Sequence, residues 1–221
     1  MRILALVPLR GGSKSIKNKN IKNMAGKPLC EWVLLSSLKS KLINDTFVST
    51  DSNQIKEIVS NISDQIRVID RPDEYAKDES TTESVIQHFQ SIIDFDYLVI
   101  IQATSPLLQS KHLDEALDYF FEKEYDSLLS VVRTKRFFWD SDGVAINYDP
   151  NKRPRRQDFE GIFMENGAFY ITSKEAFIKS GSRLSGRIGL YEMPDKTGLE
   201  VDEPLDWEII EKQLSSNIEL N

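Results

Sequence analysis

Short apolar runs alternate with segments of helical period along most of this 221-residue chain, and no other feature constrains its fold as strongly. Residues 3–9 form an almost continuous apolar run, which is typical of a strand buried on both faces of a sheet. Further strands are predicted between helical segments, at 46–49, 66–69, 98–101, 127–132 and 167–172. This order predicts an α/β fold with a doubly wound, mostly parallel sheet and helices on both of its faces.

The predicted helices rest on apolar residues that recur every three or four positions. Trp32, Leu35 and Leu38 form one such stripe. Ser80 and Glu83 have the spacing of a capping box, so we expect the next helix to be capped there. Other apolar stripes predict helices at 55–62, 113–121 and 205–210.

The alternation stops between about residues 133 and 165, where no helical period runs through the sequence. This stretch contains Phe137, Phe138 and Trp139 in succession, and a turn at 142–143. We interpret it as an excursion that projects from a single domain spanning 1–221 and serves dimer contact or active-site closure.

Composition excludes several classes of protein. No run approaches the roughly 20 apolar residues that a membrane span needs, so we expect no membrane association. The single cysteine, Cys30, cannot form an internal disulfide, which predicts a reducing, cytoplasmic location. The only histidines, His88 and His112, are too few for a histidine-based zinc site, and we expect both on helix surfaces.

Charge is distributed unevenly over a chain whose net charge is −7. Residues 1–30 carry seven cations and no acid, and residues 152–156 carry four cations in five positions. Residues 200–211 carry six carboxylates and no cation. Two local cationic patches on an acidic protein favour a small polyanionic ligand over a nucleic acid, which would require a basic surface overall.

The loop after the first predicted strand reads Arg10-Gly11-Gly12-Ser13-Lys14. Two glycines allow the backbone to approach a phosphate closely, and Arg10 and Lys14 supply positive charge. Neither the Walker A pattern nor the dinucleotide fingerprint fits this loop, which disfavours P-loop ATP hydrolysis and NAD chemistry. The loop therefore predicts phosphate binding at the carboxyl end of a strand.

Short distinctive motifs are spread across nearly the whole chain. They are LRGGSK, KNI, AGKPL, VSTD, IQATSPL, RPRRQD, ENGAFY and the carboxylate-rich DEPLDW, in that order. They occupy residues 9–14, 19–21, 25–29, 48–51, 101–107, 153–158, 165–170 and 202–207. Together these motifs resemble those of the CMP-sialic acid synthetases, or acylneuraminate cytidylyltransferases. The RPRRQD and ENGAFY blocks resemble synthetases that act on sialic acid itself more than the related Kdo synthetases.

The resemblance implies a Rossmann-like nucleotide-diphospho-sugar transferase fold and a cytidylyltransferase reaction. Such an enzyme joins the CMP of CTP to the anomeric hydroxyl of N-acetylneuraminic acid and releases pyrophosphate, in a homodimer that uses Mg²⁺. CTP and a nine-carbon sugar acid would then be the substrates.

The resemblance also implies roles for individual residues. The implied catalytic residues are Arg10, Lys19 and Asp202. The implied nucleotide-binding residues are Arg10, Gly12, Ser13, Lys14, Lys19, Asn20, Arg71 and Thr82. The implied sugar-binding residues are Gln102, Arg156, which in this family often comes from the partner subunit, and Tyr170.

The implied metal site departs from the family pattern of two aspartates spaced D-x-D. Here the spacing is kept as Glu200-Val201-Asp202. A glutamate side chain is one methylene longer, so its carboxylate can still reach a Mg²⁺ ion directly or through a water. We expect Asp202 to bind the metal, with Glu200 either a second ligand or part of a solvated acidic loop.

Two other functions stay open at this point. One is a cytidylyltransferase for a related nonulosonic acid, such as legionaminic or pseudaminic acid. The other is a nucleotide-binding protein without turnover, which would be expected to keep the basic loop and lack the carboxylates.

Overall fold

The computed structural model describes residues 1–218, and its centre is a sheet of seven strands. The sheet strands are β1 (Ile3–Pro8), β4 (Asp45–Thr50), β5 (Ile66–Asp70), β6 (Tyr97–Ile101), β7 (Ser127–Thr134), β8 (Ile162–Ser173) and β9 (Ile188–Glu192). They lie in the order β5-β4-β1-β6-β8-β7-β9, and all of their pairings are parallel except those of β8, which runs antiparallel to β6 and β7. Two short strands, β2 (Asn23–Met24) and β3 (Lys27–Pro28), form a separate antiparallel hairpin.

Helices cover both faces of the sheet, as the sequence predicts. They are α1 (Leu29–Leu38), α2 (Asn53–Ile62), α3 (Thr82–Ile92), α4 (Ser110–Glu122), α5 (Lys174–Ser180) and α6 (Pro204–Ile218). Odd-numbered residues of β1 pack with α1, α2 and α4, whereas even-numbered ones pack with α3 and α5. The doubly wound, mostly parallel fold is therefore confirmed.

The helix predicted from Trp32, Leu35 and Leu38 is confirmed as α1. Its most buried apolar residues are Cys30, Val33 and Leu34, because the apolar residues of α1 surround most of the helix.

The predicted cap of α3 is wrong. Helix α3 is capped by Thr81, whose side chain accepts a hydrogen bond from the backbone N–H of Ser84, and not by Ser80.

His112 also departs from expectation, because it is buried in the first turn of α4. Its Nδ1 accepts a hydrogen bond from the backbone N–H of Gln109 at 3.3 Å. The imidazole therefore satisfies a backbone N–H at the N-terminus of α4, on the buried side of the helix.

The excursion between β7 and β8 is shorter than predicted, since β7 continues to Thr134 and β8 begins at Ile162. Between them the chain forms one isolated bridge, Trp139 with Ala145, and a 3₁₀ turn at Pro150–Lys152. Phe138, Trp139, Val144 and Ile146 are exposed there. Within residues 1–218, no helix combines the length and apolar character needed to cross a membrane.

Candidate active site

A cleft of about 430 Å³ opens at the carboxyl ends of β1 and β6. Ligands of α/β proteins bind at this edge of the sheet. Helix α3 begins at this cleft, and the chain after residue 200 closes its far side. Most of the residues implied by the resemblance come together here: Arg10, Ser13, Lys14, Lys19, Asn20, Arg71, Thr82, Gln102 and Asp202.

The loop after β1 is held in shape by Asp51, directly after β4, and by Asn20, in the 3₁₀ turn at Lys19–Ile21. The backbone N–H of Gly11 donates a hydrogen bond to Asp51 Oδ1 at 2.9 Å, and the Asn20 amide donates to the carbonyl oxygen of Arg10 at 3.0 Å. Gly12 faces open space, with no other part of the chain within 4 Å of where a Cβ would lie. The loop therefore presents its backbone to the solvent at the cleft, as phosphate binding requires.

Arg10 and Lys14 converge on one carboxylate, that of Asp78. Arg10 Nη1 lies 2.8 Å from Asp78 Oδ1, and Lys14 Nζ lies 2.6 Å from Asp78 Oδ2. Hydrogen bonds from Lys14 and Arg10 lower the pKa of Asp78 below its usual value. Asp78 is thus an anion placed among the cations of the predicted phosphate loop.

Lys19 connects the first segment of the chain to the last turn before α6. Its side chain is only 13% exposed, and Nζ donates to the carbonyl oxygen of Val201 at 2.9 Å and to Asp202 Oδ1 at 3.1 Å. Asp202 is mostly exposed, so the carboxylate can exchange this partner for another cation. Lys19 is fixed by burial, which gives the cleft one rigid positive charge.

Arg71 is a buried cation at the base of the cleft, with 6% of its surface exposed. Its guanidinium donates to the hydroxyl of Ser49 at 3.1 Å and to the Ser49 carbonyl oxygen. Burial lowers its pKa to about 10, while the charge of Asp51 opposes that shift. Arg71 therefore stays positive at neutral pH.

Glu200 lies behind Asp202, against β8. Burial and the charge of Asp202 raise its pKa, and the Thr104 hydroxyl donates to Glu200 Oε2 at 3.4 Å. Gly167 packs directly on the Glu200 carboxylate, and its φ of 58° favours glycine. Any side chain at 167 would collide with Glu200, so this glycine makes room for the carboxylate.

The carboxylates of Glu200 and Asp202 are oxygen donors of the kind that Mg²⁺ prefers. No group of three or more His, Cys, Asp or Glu side chains converges as a metal site within residues 1–218. Mg²⁺ is commonly held by one or two carboxylates, with phosphates and waters completing its shell. Burial and then the charge of Asp202 raise the pKa of Glu200, and a cation bound beside Glu200 would offset both effects.

The structure does not bring two of the implied sugar-binding residues to this cleft. Tyr170 is 4% exposed in the core, where its hydroxyl donates to Glu165 and the Arg183 guanidinium lies 4.4 Å from its ring. Burial raises its pKa to about 12. Arg156 lines other clefts on the excursion side, beside Lys135 and Arg136.

Sequence reasoning left two contributors to the site without a role: Asp51, which bonds to Gly11, and Asp78, which bonds to Arg10. Asp51 ends the VSTD motif directly after β4, at the edge where the cleft lies, so its position offered a usable signal. Asp78 carries no such signal, because its contact with Arg10 joins segments 68 residues apart.

The fold and this cleft define a class: a doubly wound α/β protein with a strand-end site built for an anionic ligand. The profile of the cytidylyltransferase family matches residues 4–215. The chain belongs to this family, which confirms the resemblance read from the motifs.

Several relatives are similar to the chain over most of its length. N-acylneuraminate cytidylyltransferase A of Danio rerio is 37% identical over 220 residues, which cover 96% of this chain and 50% of that protein. The N-acylneuraminate cytidylyltransferase of Streptococcus agalactiae serotype III is 32% identical, covering 91% of this chain and 51% of that protein. The chain thus spans about half the length of these relatives.

Solved structures show the same fold at low sequence identity. A CMP:2-keto-3-deoxy-manno-octonic acid synthetase complexed with CTP superposes with a TM-score of 0.76 at 15% identity, covering 98% of this chain and 100% of that one. A 4-diphosphocytidyl-2C-methyl-D-erythritol synthase gives a TM-score of 0.68 at 13% identity, covering 96% and 99%.

Proposed function

We propose that this chain transfers CMP from CTP to the anomeric hydroxyl of N-acetylneuraminic acid, forming CMP-N-acetylneuraminate and pyrophosphate. The observation that carries the proposal is the cleft in which Arg10, Lys14, Lys19 and Arg71 face Asp202. A cation-rich pocket with a carboxylate at its rim suits a metal-bound triphosphate. The names of the relatives that are 32–39% identical supply the base and the sugar.

The chain's own residues would divide the work on the nucleotide. Arg10, Lys14 and Ser13 would hold the β- and γ-phosphates, with Gly12 leaving its backbone accessible. Lys19, fixed by burial beside Val201, would neutralise charge nearest the reacting phosphorus. Arg71 and Thr82, at the base of the cleft, would contact the cytidine.

The proposed reaction is an in-line displacement at the α-phosphorus. The anomeric oxygen forms a bond to that phosphorus, the bond from phosphorus to the bridging oxygen of the β-phosphate breaks, and pyrophosphate leaves. The sugar hydroxyl loses its proton to water or to a nearby carboxylate. Lys19 and Arg10 stabilise the charge that builds up on the leaving phosphates.

Asp202 and Glu200 would hold the Mg²⁺ ion. When bound, the ion would neutralise phosphate charge and favour expulsion of pyrophosphate. The exposed Asp202 carboxylate would then turn from Lys19 to the ion, which leaves the fixed Lys19 ammonium free to pair with the phosphates.

The sugar site and the assembly are also parts of the proposal. Gln102, at the end of β6, lines the cleft, and its backbone N–H donates to the Ala168 carbonyl oxygen at 3.1 Å. We propose a homodimer in which the excursion of one chain brings Arg156 to the partner's sugar acid. Exposed Phe138, Trp139 and Val144 support this role for the excursion. The lone cysteine supports a cytoplasmic location.

The test is pyrophosphate release from CTP and Mg²⁺ with N-acetylneuraminic acid, run beside Kdo, legionaminic acid and pseudaminic acid. Release with N-acetylneuraminic acid far above the other three is expected. Preferential release with another acid would keep the mechanism and change the substrate. CTP binding without release with any acid would favour a binding protein and contradict the proposed reaction.

A further inference from the structure

Asp78 is paired with two of the cations that the proposed function assigns to the triphosphate, Arg10 and Lys14. Each of its two carboxylate oxygens is bonded to one cation, Oδ1 to Arg10 at 2.8 Å and Oδ2 to Lys14 at 2.6 Å. A carboxylate and a phosphate offer similar paired oxygens to such cations. Arg10 and Lys14 cannot pair fully with Asp78 and with a bound phosphate at the same time.

Packing does not fix Asp78 in this place. Its side chain is 48% exposed, and it lies in a turn at 76–81 that precedes α3 and contains neither helix nor strand. Among the described residues, its carboxylate forms hydrogen bonds or ion pairs with Arg10 and Lys14 alone. Lys14 is also largely exposed, so all that holds the turn to the loop at this point is charge.

The ionic state of Asp78 is consistent with this arrangement. Its pKa is lowered by hydrogen bonds from Lys14 and Arg10, so the carboxylate stays charged at neutral pH. Ion pairs between exposed groups are weak and exchange readily. An entering phosphate would therefore break them at small cost, and the pairs would re-form when it leaves.

We propose that Asp78 is an internal competitor for the polyphosphate site: CTP displaces its carboxylate from Arg10 and Lys14, and the carboxylate returns as pyrophosphate departs. This role rests on the proposed function. The proposed reaction requires that pyrophosphate leave, and a loop cationic enough to bind a triphosphate also retains pyrophosphate. Asp78 offers the cations another anion and so weakens the binding of both ligands.

The test is the affinity of three ligands for the full chain, measured by calorimetry without metal: CTP, pyrophosphate, and cytidine, which has no phosphate. Asp78→Asn removes the charge while keeping the size of the side chain. We expect its dissociation constants for CTP and pyrophosphate to fall by roughly three- to tenfold, since two exposed ion pairs no longer compete. The dissociation constant for cytidine should not change.

Glu79→Gln is the matched control. Glu79 is the exposed neighbour of Asp78, and its side chain has no ion pair or hydrogen bond within the part of the chain that the structure describes. The Glu79→Gln substitution removes one negative charge from the same turn, so it measures how much the loss of charge alone changes the affinity for CTP and pyrophosphate. Thermal unfolding of both variants shows whether the turn and the fold are kept, and Asp78→Ser is a second variant if the first unfolds.

The outcomes separate this inference from the proposed function. Unchanged or weaker binding of CTP and pyrophosphate by Asp78→Asn would overturn it, the latter by showing that Asp78 orients the two cations. Equal tightening in Glu79→Gln would overturn it as well, since general charge would explain the effect. Wild-type protein that binds neither CTP nor pyrophosphate, either without metal or in a parallel titration with Mg²⁺, would overturn the proposed function, and this role with it.

Discussion

Lys19 and Asp202 are 183 positions apart in the sequence, and their contact joins the two ends of the site. Lys19 is held by burial and by the Val201 carbonyl oxygen, whereas Asp202 is exposed. A fixed cation beside a movable carboxylate is the arrangement expected where phosphates and a metal ion enter together. The importance of Asp202 can therefore be tested separately from folding.

Asp202→Asn should reduce kcat by on the order of a hundredfold or more, because an amide carries no negative charge and binds a metal ion more weakly than a carboxylate does. Steady-state rates over a Mg²⁺ titration measure the effect, and high Mg²⁺ should restore little of it. Glu208→Gln, which removes an exposed carboxylate from α6, is the control. Near-normal turnover of Asp202→Asn would remove Asp202 from the mechanism.

His112 gives a prediction about pH and stability. Burial lowers its pKa to about 4 from 6.5, with Lys111 adding to the shift and Glu115 opposing it. Between those values the unfolded chain binds a proton that the folded chain does not, so the free energy of unfolding should fall as pH falls from about 6.5 to 4.

Because of His112, the free energy of unfolding at pH 5 should be about 1–2 kcal/mol lower than at pH 7. His112→Asn, which keeps an acceptor for the Gln109 N–H, should lose less stability over the same range. Denaturant unfolding at pH 7 and pH 5 measures both proteins. Equal pH dependence in the two would show that other groups control the acid sensitivity.

At the scale of elements, the long strand β8 carries the irregularity that shapes the carboxylate side of the site. Leu129 of β7 pairs with Tyr170 of β8, but Val131 pairs with Glu165, so the register shifts between these two pairs. Residues 166–169 of β8 bulge at this shift. The bulge buries the Asn166 amide, which donates to Thr197, and turns Gly167 against Glu200. Bulges commonly redirect side chains next to active sites.

Gly167→Ala tests that the bulge positions Glu200. The new methyl group meets the Glu200 carboxylate, so the Mg²⁺ concentration needed for half-maximal rate should rise several-fold and kcat should fall. Gly181→Ala is the matched control, because Gly181 also has a positive φ and has open space around it. Both variants should lose about 1–2 kcal/mol of stability from backbone strain.

If the Mg²⁺ dependence of Gly167→Ala matches that of Gly181→Ala, the contact with Glu200 has no part in metal use. Unfolding by denaturant provides the stability of each variant, so a change in Mg²⁺ dependence can be read apart from the loss of stability.

The sequence predicted the elements well where apolar burial alone decides them. Central strands such as β1 and β6 are buried on both faces, and their apolar runs identify them directly. The antiparallel direction of β8 and its bulge were not predicted, because they depend on pairing across long loops. Tyr170 illustrates the limit: its aromatic ring suits a pocket wall or a core equally, and only the fold places it in the core.

At the scale of the whole molecule, the excursion and the neighbouring sheet edge expose much apolar surface. Trp139 on the excursion, Phe163 on β8, and Ile188 and Leu190 on β9 are all exposed. Arg156 lies on this side, in clefts with Lys135 and Arg136, and does not line the cleft that contains Asp202. The proposed homodimer would bring the two residues to one site by supplying Arg156 from a second chain.

Arg156→Ala should raise the KM for the sugar acid by about tenfold or more and change the KM for CTP little, because the lost cation would pair with the sugar carboxylate. Light scattering should show a dimer for this variant and for the wild type. A rise in the KM for CTP with an unchanged sugar KM, or a monomer at assay concentration, would contradict the dimer and the role of Arg156.

Mixing two impaired variants decides which chain supplies Arg156. In a heterodimer of Asp202→Asn and Arg156→Ala, one site pairs the intact Asp202 of one chain with the intact Arg156 of the other, provided that Arg156 acts across the interface. Co-expressed at equal levels and assayed at low sugar concentration, the variants should then recover about a quarter of wild-type activity, since half of the dimers have one intact site. If Arg156 acts within its own chain, every site carries a substitution, and activity should stay at the mean of the two separate variants.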